Sequence, residues 1–320
     1  MMDPTRIDEL RAALRSGLWL QVRDEARELV DTDDDGQICA VLSQAYQRLG
    51  LPQEASQAAD QAARIGDHWS VQLALGEAAL GQGRPELARS LLEDATDPIG
   101  PDNKGWHELT LALAVVLRAA GEAEHGYGLA QRALVEAELA KEEQSINESL
   151  IVVGHCAYGC ALPNEAEGAF SRALELRQAQ GEAEVLLAEA YDGLGMCARA
   201  QGRPFDAVAY HRKALERWTS SLAEDSGPVS ACRHRLAQAL HRTGDFPAAR
   251  DEMARSLLLT ARTLGTDHVD TWITRFEMAR YDVDCGDLDG TFQRMADARA
   301  EVARRLGAQH PVVRSMDRFL

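Results

Sequence analysis

Lysine is scarce in this chain: Lys104, Lys141 and Lys213 are the only three among 320 residues. Arginine supplies the other basic side chains, and acids outnumber them to leave a net charge of −17. A protein that tracks phosphates needs a surplus of cations on one face. The balance therefore argues against nucleic acid or an anionic membrane as the main partner. Aromatic residues are only 5% of the chain, so Ala and Leu must fill the interior, which suits close-packed helices and not a β-sandwich. The six cysteines are scattered and form no disulfide framework, the usage expected in a reducing compartment. The opening residues MMDPTRIDEL hold no apolar signal core, and the longest apolar stretch, Leu109 to Leu117, is too short to span a bilayer. A cytoplasmic protein is expected. Neither a phosphate-binding loop, a dinucleotide fingerprint nor a nucleophile elbow occurs, so neither catalysis nor a cofactor is expected.

What is present is a repeat. Short breaks fall at Gly17, Gly50, Gly83, Gly121, Ala161, Gly202, Gly244 and Gly286, spaced 33, 33, 38, 40, 41, 42 and 42 residues apart. Glycine enters the left-handed region that ends a helix at no steric cost. Proline follows closely in Leu51-Pro52, Arg84-Pro85, Leu162-Pro163, Arg203-Pro204 and Phe246-Pro247, where a new helix tolerates it. Each break thus reads as the turn between a helix A and a helix B. Closely crossing helices need small residues at the contact. Seven residues before each turn stand Ser43, Gly76, Ala114, Gly154, Gly195, Ala237 and Ala279. Five after stand Ala55, Ala88, Gly126, Ala166, Ala207, Ala249 and Thr291. Twelve after stand Ala62, Ala95, Ala133, Ala173, Ala214, Ser256 and Ala298. All but Thr291 are Gly, Ala or Ser, where composition alone would give roughly a third.

This pattern resembles the tetratricopeptide repeat over units two to eight. The longer C-terminal units resemble the kinesin-light-chain variant, carrying Leu264-Gly265-Thr266-Asp267-His268 and, 42 residues on, Leu306-Gly307-Ala308-Gln309-His310-Pro311. The resemblance implies an all-α fold, a right-handed solenoid of about eight helix-turn-helix units. Residues 1–35 are read as an N-terminal capping pair, 36–310 as the array and 311–320 as a closing segment in which Val312, Met316 and Phe319 cover the last pair. The stretch Asp97–Gly105 is a candidate joint, and Ser220–Val229 a second loop.

In the resembled family helix A lines a concave groove. Carrying over its positions two, three, six and ten residues before each turn gives candidate partner-binding residues Arg48, Arg118, His155, Tyr158, Asp192, Met196, Arg199, His234, Gln238, His241, Arg242, Phe276 and Arg280. The recurrent Arg could grip carboxylates or phosphates of an extended partner; the plainer reading pairs them with acids on neighbouring helices. The clamp by which chaperone-binding members hold a C-terminal carboxylate is missing.

Three further clusters carry a plain reading beside a chemical one. Asp31-Thr32-Asp33-Asp34-Asp35-Gly36 begins like a calcium loop, but Leu42 stands at its twelfth position, where a bidentate carboxylate is needed. Acids before a helix start are the simpler account. His155, Cys156 and Cys160 lack a second ligand pair for zinc. No metal is expected at either place. His234, Gln238 and His241 share one helix face as groove lining. Two functions follow: a scaffold or adaptor that binds a peptide or helix of a partner protein, or a peptide sensor controlling a separate transcription factor or ATPase, as in the sensor ends of some bacterial regulators. Self-association is also open.

Overall fold

A computed structural model describes residues 4–96, 99–100, 104–181 and 183–320. Among the described residues it holds seventeen α-helices and no strand. They form two compact units that divide after Gln201. The first contains α1 (Pro4–Arg15), α2 (Trp19–Leu29), α3 (Gln37–Leu49), α4 (Pro52–Ile65), α5 (Trp69–Gly81), α6 (Pro85–Thr96), α7 (Lys104–Ala119), α8 (Ala123–Ala140), α9 (Glu143–Gly159), α10 (Pro163–Gln180) and α11 (Glu184–Ala200). The second contains α12 (Pro204–Ser221), α13 (Gly227–Thr243), α14 (Phe246–Thr263), α15 (Val269–Asp284), α16 (Thr291–Leu306) and α17 (Pro311–Met316). Within each unit successive helices pack on one another. In the first, α3, α5, α7, α9 and α11 also stack into a continuous layer.

All eight expected breaks lie between helices, and every break residue has a positive φ, from 57° at Ala161 to 91° at Gly121. Seven are glycine. Ala161 adopts the same left-handed conformation with a Cβ in place, at a cost of about 1–2 kcal/mol. Replacing Ala161 with Gly should therefore raise stability by about 0.5–1 kcal/mol after the extra backbone entropy of glycine is subtracted. Urea unfolding followed by circular dichroism reads this directly, and a destabilised variant would contradict it.

The small-residue positions are the helix contacts. Ala55, Ala62, Ala88, Ala166, Ala207 and Ala249 are fully buried. A Cβ on Gly126 would stand 2.5 Å from the Ala114 carbonyl oxygen, so the helices α7 and α8 meet backbone to backbone there. Thr291, the exception, is buried at the start of α16 and satisfies its hydroxyl by donating to the Asp287 carbonyl at 2.9 Å. The histidines of the kinesin-type motif have a local role. His268 Nδ1 accepts from the Asp270 N–H at 3.2 Å and His310 Nδ1 from the Val312 N–H at 3.3 Å, capping α15 and α17. Val313 and Met316 of α17 bury themselves against Phe276, Met295 and Val302.

Two loop expectations change. Helix α12 continues through Ser221 and α13 starts at Gly227, so the second loop covers only 222–226. Of the Asp97–Gly105 joint, residues 97, 98 and 101–103 lie outside the described residues. Gly105 belongs to α7, where a Cβ would stand 2.4 Å from the Trp69 indole.

Candidate binding cavity

The stacked layer of the first unit walls a half-open cavity of about 420 Å³, bounded on the far side by α1 and the start of α2. That boundary depends on a close approach. A Cβ on Gly17 would stand 2.7 Å from Val185 Cγ2 and 3.1 Å from Leu186 Cγ, so the α1–α2 turn rests on the start of α11. The α1–α2 pair is thus a wall of the cavity. Leu14, Leu111, Ile151, Val152 and Leu186 give the lining an apolar part.

The polar part is ordered. Glu108, Glu148 and Glu189 stand thirteen residues before the turns at Gly121, Ala161 and Gly202, one each on α7, α9 and α11. Arg15 of α1 pairs with Glu108. Arg177 of α10, only 3% exposed, reaches Glu189 at 3.3 Å and also donates to the Leu186 carbonyl. Arg48 approaches Glu189 at 3.7 Å. Glu148, the middle member, has no hydrogen bond or ion pair among the described residues. Burial pushes its carboxyl up to about 7, Arg15 draws it down and Glu108 raises it further. Burial also raises Glu77 and Glu108, each against nearby arginines. Partial desolvation opposes the charge on Arg48, whose side chain is still 52% exposed, but Glu189, Glu77 and Glu148 outweigh it and hold the guanidinium more firmly protonated.

Of the thirteen expected partner-binding residues, Arg48 and His155 line this cavity. His155 packs edge-on against Phe170 at 5.0 Å. Tyr158 accepts a hydrogen bond from Arg199 at 3.1 Å, and the Arg118 side chain lies along α9 at Gly159. Asp192 is 8% exposed and Met196 half-buried. The others belong to the second unit. His234 meets Glu277 at 3.0 Å, and Gln238 hydrogen-bonds to the same carboxylate at 3.3 Å. His241 meets Asp284 at 2.6 Å and stacks on Tyr281 at 4.7 Å. Arg242 is exposed, while Arg280 lies over the Phe319 ring at 4.9 Å. Phe276, expected as an anchor for a ligand, is 3% exposed and packs in the terminal core, so it offers no surface to a partner.

At two of the clusters the side chains are engaged in local bonds. Asp33 accepts from the Cys39 N–H at 2.8 Å and Asp35 from the Gln37 N–H at 3.2 Å, holding the start of α3. The Cys156 thiol is buried and points at the Ala114 carbonyl. Three of the four cavity glutamates, Glu108, Glu148 and Glu189, and Arg11, Arg15 and Arg177 were missed by the family's groove positions. A signal was available: extending those positions one helical turn further back reaches all three glutamates.

Residues 145–220 and 186–257 match the family model for the tetratricopeptide repeat. Residues 145–257 carry tetratricopeptide repeats. A Rap protein complexed with competence and sporulation factor has a similar fold, with a TM-score of 0.68 and 14% identity over 99% of this chain and 95% of that one. A signal-transduction ATPase with a tetratricopeptide repeat sensor, from Pyrococcus horikoshii, matches at a TM-score of 0.57 and 14% identity over 93% of this chain and 46% of that one. Kinesin-light-chain TPR-like repeats from Podosopora anserina match at a TM-score of 0.51 and 18% identity over 61% and 94% respectively. At these identities the likeness is one of fold. No curated protein matches the chain in sequence. Tetratricopeptide repeats are generally non-catalytic and bind other proteins or peptides. No described helix is long and apolar enough to cross a membrane.

Proposed function

We propose that the chain is a non-catalytic binding module that takes an extended peptide into the cavity of its first unit. The observation that carries this is the cavity itself, about 420 Å³ with apolar walls and converging charged groups. Sites for small ligands typically measure about 300–1,000 Å³ and combine these two kinds of lining. A helix is about 10–12 Å across with its side chains, so an extended segment suits a space of this size better than a docked helix. In the Rap structure similar over nearly the whole chain, the protein is complexed with competence and sporulation factor. For this chain we propose a peptide signal whose binding fixes the first unit, with a separate protein responding.

Selection of a random heptapeptide display library on the full chain tests this. Val152 lines the cavity from α9, and Val152→Trp fills it. Peptides selected on the native chain should lose at least about tenfold in affinity for Val152→Trp, the scale of one displaced anchor side chain. Binders that do not distinguish the two chains would overturn the proposal.

A further inference from the structure

We infer that the cavity recognises a cationic group, the side chain of a Lys or Arg or the α-amine of a peptide, at Glu148. The inference rests on the peptide-binding reading and adds the chemistry of the ligand. Three successive inner helices place a glutamate at the same repeat position, facing one cavity. The outer two are answered by arginines from other helices, Glu108 by Arg15 and Glu189 by Arg177 and Arg48. The middle one feels Arg15, Arg48 and Arg177 only through space and, among the described residues, makes no direct hydrogen bond or ion pair, although its place in the repeat is the same. The Glu148 carboxylate is half-buried, with no direct side-chain partner to offset the water it gives up. The vacant pairing position opens onto the cavity.

The sign of the ligand charge follows from the same pairings. Arg15 and Arg177 are committed to Glu108 and Glu189, and Arg48 is shared among Glu189, Glu77 and Glu148. An anionic ligand would have to break one of these pairs, whereas a cation completes an empty one. Ile151 and Val152 flank Glu148 on α9, with Leu111 across from them on α7. The fitting ligand therefore carries its positive charge next to apolar side chains.

Peptides from the library above, made synthetically and labelled, test the assignment by fluorescence polarisation on the native chain, Glu148→Gln and Glu148→Arg. Cavity-dependent peptides should carry Lys or Arg at one fixed position, or require a free amine. They should weaken roughly tenfold to a hundredfold on Glu148→Gln, the range of one charge-assisted hydrogen bond, and more on Glu148→Arg. N-acetylation separates the two cation sources: it abolishes binding only if the α-amine is read. Calorimetry at pH 7 in two buffers of different ionisation enthalpy gives a second readout, since pairing with a cation expels a proton from the native chain and none from Glu148→Gln. Cavity-dependent peptides with no required cation, or unchanged binding to Glu148→Gln, overturn this inference and leave the cavity reading intact. Peptides indifferent to Val152→Trp overturn the cavity reading itself.

Discussion

Phe170→Ala is expected to destabilise the first unit by about 3–5 kcal/mol, the cost of a large cavity in a core that cannot collapse. The ring is fully buried on α10. It is gripped on two sides by glycines from the inner layer. A Cβ on Gly154 of α9 would stand 2.7 Å from the ring, and one on Gly193 of α11 would stand 2.5 Å from it. The third contact is the edge of His155 at 5.0 Å. Two helix backbones thus approach the faces of one ring, and neither glycine has a side chain that could swing into the space left behind. Hydrogen exchange in α9 and α11 should rise with the loss, while urea unfolding reports the total. A shift below about 1 kcal/mol would show that the ring is not the keystone of this packing. A second substitution sharpens the test. Gly193→Val should be severely destabilising in the native chain but should partly restore the Phe170→Ala variant, because the new side chain then has somewhere to go.

Glu148→Gln is expected to make the chain more stable at pH 8 and no more stable at pH 4. Folding raises the Glu148 carboxyl from its ordinary 4.5 to about 7. Between those values the folded chain holds a proton that the unfolded chain has released. Its contribution to stability is fully present below pH 4.5 and is lost as pH rises through 7. Glutamine has nearly the same shape and never ionises. The difference between the two chains should therefore grow across this window to roughly 1–3 kcal/mol, somewhat less than the full shift at about 1.36 kcal/mol per pH unit because the carboxylate keeps some contact with water. Glu77 and Glu108 shift in the same direction, and His68 and His107 are lowered, but all four remain in both chains and cancel in the difference. Parallel stability curves from pH 4 to pH 8 would mean that Glu148 finds a partner in solution, and would count against a vacant position there.

The turns were legible because their physics is local. A left-handed residue between two helices selects glycine almost by itself, and even the exception, Ala161, kept its place through spacing and the proline that follows. The helix contacts were legible for a similar reason: close approach leaves no choice but Gly, Ala or Ser, and that signature repeats. The site was less legible. Arg48 and His155 were found because helix A faces inward. Arg11 and Arg15 were not, because residues at the start of the chain reach the interior only when α1–α2 meets α11, a contact between segments about 170 residues apart. Arg177 was missed because it sits on a helix B and points inward past its own layer. Phe276 occupied a groove position by count, but α17 covers it, and a short terminal helix carries too little pattern to announce what it hides.

The contact of Gly17 with Val185 and Leu186 has an evolutionary reading. Open repeat arrays gain and lose units freely, because each unit touches only its neighbours. Here the first unit must meet the sixth A helix at a fixed offset. Duplication or deletion of one unit between them would carry α11 past the α1–α2 turn and leave the cavity without its far wall. Copy number in this stretch is therefore fixed by geometry, and relatives sharing the cavity should differ in loop length and side chain but keep five complete pairs before that helix.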